Sequence, residues 1–148
     1  MFKRIITLFS LALFALVPLG AARAQQGQRL NLIRDAEIEQ LLRDGTVVSR
    51  TDRTEHTLAP IAITAEEGEA LRDCVVHERA VQTIEVGLAY GISALFVCEG
   101  LAINGDELAR HTVIDPHQAR SFSNCGLQVL DDAGFTPRLE VYAEESQR

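Results

Sequence analysis

No stretch of this 148-residue chain reaches the roughly 20 consecutive apolar residues that a membrane-spanning helix needs. The longest apolar run, Ile5 to Val17, covers 13 positions and is interrupted by Thr7 and Ser10. Cysteine is scarce: Cys74, Cys98 and Cys125 form no C-x-x-C pair, which removes support for thioredoxin-like redox chemistry and for a cysteine zinc site. No G-x-S-x-G sequence surrounds Ser49, Ser121 or Ser123, no glycine-rich phosphate loop occurs, and there is no internal repeat or low-complexity tract. Basic residues are in the minority, 14 against 21 acidic ones, for a net charge of −7. Such a surface repels phosphate backbones and anionic lipid, which argues against nucleic acid as a partner.

What is present begins with an address. Lys3-Arg4, the apolar run, the breakers Pro18 and Gly20, and the small residues Ala22 and Ala24 are the parts of a secretory signal peptide. Cleavage is expected after Ala24, giving a periplasmic or secreted protein that touches membrane only through an uncleaved signal peptide. The layout expected is a signal peptide over 1–24, an N-terminal helix within 25–45, a compact domain over 46–143 and a polar tail over 144–148. Export places the cysteines in an oxidising compartment, where three pairings are open and one thiol is always left over. Val75, Val76, Phe96 and Val97 flank the first two and favour their burial as small hydrophobes.

Leu30, Ile33, Ile38, Leu41 and Leu42 recur at helical spacing before Gly45, which predicts an amphipathic helix over 30–43. Thr64 with Glu67 is a capping-box signature for a helix running from about 65 to 88. Ser93 to Cys98 read as a buried strand and Leu101 to Arg110 as a short helix. Leu127 to Leu130 and Leu139 to Tyr142, flanking Asp131-Asp132-Ala133-Gly134, predict an antiparallel hairpin. The fold class is therefore a single small mixed α/β domain with an N-terminal amphipathic helix and a C-terminal β-hairpin.

Three constellations bear on chemistry. His77-Glu78 opens like H-E-x-x-H, the helical zinc motif with a glutamate base, but Val81 stands in the fifth position. His111, Asp115 and His117 gather metal-capable side chains within seven residues, so His77, His111, Asp115 and His117 are the candidate metal ligands and zinc the candidate cofactor, with no other cofactor implied. Cys98-Glu99-Gly100 follows the predicted strand, where α/β folds place reactive groups.

Two resemblances join these residues. The segment Leu32-Ile33-Arg34-Asp35-Ala36-Glu37-Ile38-Glu39-Gln40-Leu41-Leu42-Arg43-Asp44, standing after a signal peptide, resembles the start of mature periplasmic HtpX-like zinc metallopeptidases. His77 and Glu78 are then the candidate catalytic remnants, with the second histidine missing. From Thr46 onward the landmarks are similar to the histidine phosphatase superfamily. That likeness implies that Arg50 and Arg79 converge on one anion site, with Glu99 where a second histidine would stand. The expected function is thus an exported, shortened or degenerate relative of zinc metallopeptidases. The alternatives are a degenerate phosphatase-like domain and a non-catalytic envelope module with an envelope protein partner. Any activity would be hydrolytic, of metallopeptidase or phosphatase type.

Overall fold

The computed structural model describes residues 36–143. The predicted signal peptide and the first turns of the predicted N-terminal helix lie outside the described residues, as does the polar tail from Glu144.

Helix α1 (Ala36–Asp44) turns Ile38 into the core, with Leu41 and Leu42 packed against it. An antiparallel pair follows, β1 (Thr46–Val48) with β2 (Glu55–Thr57), in the register Val47 to His56. Helix α2 (Ala65–His77) opens with the predicted capping box: Glu67 N–H donates to Thr64 Oγ1 at 3.2 Å, and Thr64 N–H donates to Glu67 Oε2 at 2.8 Å. The Thr64 N–H, and after it the Thr64 hydroxyl 3.0 Å from the same oxygen, hold the Glu67 carboxyl below its ordinary value.

Helix α2 ends at His77 instead of continuing to 88. Asn104 stabilises the break by donating Nδ2–H to the carbonyls of Val75 (3.1 Å) and Ala80 (2.9 Å). The β-branched Thr83, Ile84 and Val86 then enter strand β3 (Gln82–Val86). Helix α3 (Ile92–Asn104) replaces the predicted strand at Ser93 to Cys98. Ala94 through Leu101 are all buried, and a helix apolar on every side has no amphipathic period to distinguish it from a buried strand. Two glycines, Gly68 against Phe96 and Gly100 against Val75, let α2 and α3 approach closely.

Strand β4 (Arg110–Ile114), helix α4 (Gln118–Ser121), helix α5 (Cys125–Asp132), a 3-10 turn at Thr136–Arg138 and strand β5 (Leu139–Tyr142) complete the chain. The predicted hairpin is absent. Its first arm lies in α5, and its second pairs parallel with β4 in the register Val113 to Val141.

Strands β3, β4 and β5 form one parallel sheet in that order. Its inner face, which carries His111 and Val113, is buried. Ile84, Val86 and Tyr142 on the outer face are exposed, so among the described residues the sheet is covered on one side. The molecule is a mixed α/β domain, as its composition and periodicity predict. Among the described residues no helix is long and apolar enough to cross a membrane.

Candidate functional site

Successive parallel strands joined by helices are the building unit of Rossmann-like folds, whose ligands meet the carboxyl ends of the strands. At that edge the chain makes a tight turn, Gly87-Leu88-Ala89-Tyr90-Gly91, between β3 and α3. Three of its residues have left-handed backbone, Gly87 (φ 86), Ala89 (φ 48) and Gly91 (φ 79). A Cβ on Gly91 would lie 2.7 Å from the Gly126 carbonyl oxygen, so glycine is needed there both for its φ and for the close approach of α5. At Gly87 a Cβ would meet nothing within 4 Å, which leaves the backbone open to a ligand.

Asp115, the residue after β4, braces this turn. Its Oδ2 accepts the N–H groups of Leu88 (2.8 Å) and Ala89 (3.2 Å) and the amide of Gln118 (2.8 Å), and Oδ1 accepts the His117 N–H (2.7 Å). Gln118 also donates to the Ala89 carbonyl at 2.8 Å. Burial alone would raise the Asp115 carboxyl. The bonds from Gln118, His117, Leu88 and Ala89 together outweigh it and hold the group below its ordinary 3.8. A second carboxylate, Glu85 near the end of β3, accepts from Ser93 Oγ in the first turn of α3 and lies 3.2 Å from His111 Nε2. His111, 1% exposed, meets Thr83 Oγ1 through Nδ1 at 2.9 Å.

The residues singled out in the sequence are scattered. His77, Glu78 and Arg79 end α2 and turn into β3, all exposed and at the opposite end of the sheet from the glycine turn. Arg50 sits in the β1–β2 turn and pairs with Asp131 at 3.3 Å and with Asp132. It edges a separate hollow of about 480 Å³ floored by Leu127, Leu139 and Val141. Glu99 lies inside α3 with its carboxylate 3.5 Å from Arg72. His111 is in the β4 interior, and His117 is exposed and reaches Asp115 through its backbone N–H. Among the described residues no group of three or more His, Cys, Asp or Glu side chains could hold a metal. Cys98 lies within α3, where burial first and the nearby Glu85 charge second push its thiol up to about 12. Cys74, Cys98 and Cys125 are all unbridged, with Cys74 exposed against the expectation of burial. Gly87, Gly91, Gly126 and Gln118 escaped the sequence reading, although Glu85-Val86-Gly87 followed by Gly91 and, later, by Ile114-Asp115 was available as a strand–turn–helix–strand signal.

No protein-family profile and no curated protein sequence matches the chain. Solved structures do. The O-methyltransferase TomG from Streptomyces achromogenes, in complex with SAM, is 18% identical with a TM-score of 0.49 over 80% of this chain and 41% of its own. Cofactor-bound Rv0187 from MTB is 19% identical with a TM-score of 0.47, over 83% of this chain and 41% of its own. The O-methyltransferase from Bacillus cereus, in complex with SAH, is 15% identical with a TM-score of 0.46, over 80% and 42%. The chain spans less than half the length of each.

The expectations of a zinc metallopeptidase relative, a phosphatase-like domain and a zinc cofactor are corrected by where the structure places their residues. The similar structures named as enzymes are O-methyltransferases, not zinc metallopeptidases or histidine phosphatases. The landmarks of the phosphatase likeness also come apart in space, since Arg50 is tied to α5 and Arg79 lies at the amino end of β3. The expected zinc site is not assembled: among the described residues His77, His111, Asp115 and His117 do not form a group that could hold a metal.

Proposed function

We propose that this domain binds a nucleoside cofactor carrying a positive charge, of the S-adenosylmethionine class, and forms the cofactor-holding part of a methyl-transferring enzyme. The observation that carries the reading is the Asp115 brace, by which the end of β4 holds the glycine turn against the ends of the strands. The charge at the turn selects among nucleosides. Glu85 and Asp115 flank it, and the sole lysine of the chain is Lys3, so the lysine that a phosphate loop uses is missing from the described residues. Phosphate-bearing cofactors meet two carboxylates, whereas a sulfonium or ammonium group is stabilised by them. The first-turn N–H groups of α3 suit the carboxylate of an amino-acid moiety. When bound, such a cofactor supplies an activated methyl group. The residues of this chain orient it and hold the turn in shape.

Calorimetric titration of the full chain with S-adenosylhomocysteine is expected to give a dissociation constant on the order of micromolar, with NAD and ATP silent at about 1 mM. Silence of S-adenosylhomocysteine at about 1 mM, or preference for a phosphate-bearing nucleoside, overturns the reading. Export belongs to the same proposal. Protein recovered from the periplasm is expected to begin at Gln25, and retention of Met1 in soluble cytosolic protein removes that part.

A further inference from the structure

Strand β3 is one edge of the parallel sheet and borders only β4 among the described residues. Gly87 N–H donates to the Ile114 carbonyl at 2.9 Å, and the Val81 carbonyl accepts from Arg110 N–H at 3.0 Å. By the alternation of a strand, the odd-numbered residues of β3 therefore turn their backbone polar groups toward β4. The N–H and C=O groups of Gln82, Ile84 and Val86 point the other way, along the free edge. Such a row is a template for another strand. The register with β4 is unbroken from Gln82 to Val86, so no bulge blunts the edge, and the strand holds neither proline nor lysine. Its one charge, Glu85, is engaged on the inner face, where it accepts from Ser93 Oγ and lies 3.2 Å from His111 Nε2. Ile84 and Val86, beside the edge on the outer face, are 68% and 69% exposed.

We propose that the β3 edge is a self-association surface, on which a second copy of this chain pairs its own β3 antiparallel about a two-fold axis at Ile84. The symmetry of the edge selects this occupant. Centred on Ile84, the pairing sets Ile84 against the second copy's Ile84 and Gln82 against its Val86, so every outward group on both strands gains a partner. Thr83 then stands opposite Glu85, and no carboxylate faces a carboxylate. Centring on Thr83 or on Glu85 carries an outward residue past the end of the opposing strand, and the second choice also opposes two glutamates. The other free edge of the sheet fails the same test. There the Tyr142 carbonyl accepts Asp115 N–H at 2.9 Å, which turns Leu139 and Val141 outward, and the register that pairs both centres on Glu140 and opposes two like charges. Pairing at β3 also brings the exposed Ile84 side chains of the two copies together and takes them out of water. A strand pair of this length spans only about 17 Å, which belongs to the small, reversible class of interface.

The test uses the full chain. Sedimentation velocity is expected to show monomer at about 1 μM and dimer at about 200 μM, with a dissociation constant on the order of 10 μM. Amide hydrogen exchange followed by NMR at the higher concentration separates edge pairing from mere sticking of exposed side chains. In the dimer the N–H groups of Gln82, Ile84 and Val86 should exchange at least about tenfold more slowly than unbonded amides, joining those of Thr83 and Glu85 that β4 already protects. Ile84→Lys changes an exposed side chain, so the circular dichroism spectrum should hold, but it sets two ammonium groups opposite each other and is expected to weaken the dimer at least about tenfold. Wild-type protein that stays monomeric at about 200 μM overturns the inference. So does association that survives Ile84→Lys, because it runs through another surface. A dimer in which the Ile84 N–H exchanges as freely as an unbonded amide overturns it as well, and that measurement needs no variant to fold.

Discussion

Replacing Gly91 with alanine is expected to destabilise the domain by about 3 kcal/mol, because a left-handed alanine costs about 1–2 kcal/mol and the rest comes from displaced backbone. At φ 79 the new Cβ would sit 2.7 Å from the Gly126 carbonyl oxygen. Backbone oxygen cannot swing aside as a flexible side chain does, so the start of α5 must move away from the turn. Thermal denaturation followed by circular dichroism should show a loss of about 10 °C or more for a domain of this size. Gly87→Ala is the informative contrast. It carries a similar φ of 86, yet nothing lies within 4 Å of its Cβ. That variant should lose only about 1 kcal/mol while binding S-adenosylhomocysteine more weakly, because the methyl group occupies the space above the turn. Equal stability losses at the two glycines would show that α5 does not press on the turn as described.

Removing the Asp115 carboxylate should be comparably damaging, at about 3 kcal/mol for Asp115→Ala, since the buried Leu88 N–H and the Gln118 amide lose a charged acceptor. The acid limb of stability identifies the cause. The folded-state pKa of Asp115 lies below the ordinary 3.8, so its contribution is complete above the unfolded value and is lost as pH falls through the folded one. Urea denaturation at a series of pH values should therefore show wild type losing stability below about pH 4 more steeply than Asp115→Asn, with the two curves converging as the carboxylate is protonated. Parallel curves down to about pH 2 would mean that the brace contributes nothing as a charge. The same variant should bind S-adenosylhomocysteine poorly, because the turn it shapes is the ligand platform.

The legible parts of the sequence were those with local causes. Thr64 and Glu67 cap α2 because two side chains and two backbone N–H groups within one turn satisfy each other, and no distant residue is involved. Ile38, Leu41 and Leu42 pack inward because their spacing puts them on one stripe of a helix. Where apolar residues run together the pattern is silent. Ala94, Leu95, Phe96 and Val97 satisfy a buried strand and a buried helix equally, and α3 is decided by its packing on α2. The C-terminal run at Leu127 to Leu130 failed for a related reason, since a turn-like Asp131-Asp132-Ala133-Gly134 ends a helix as readily as it closes a hairpin.

Local chemistry thus determined the α/β class, the capping box and the apolar stripe of the first helix. The site belongs to tertiary structure. Asp115 was visible as a carboxylate among histidines and pointed toward a metal, whereas parallel pairing of β3 with β4 brings it across 27 residues to the N–H of Leu88. His56 reads in isolation as an unremarkable strand histidine, and only folding sets it between the Thr54 hydroxyl and the ring of Tyr90. Helix caps are settled within one turn of chain. A ligand platform at the end of a parallel sheet is assembled from strands that the sequence keeps apart, so its residues acquire their roles when those strands pair.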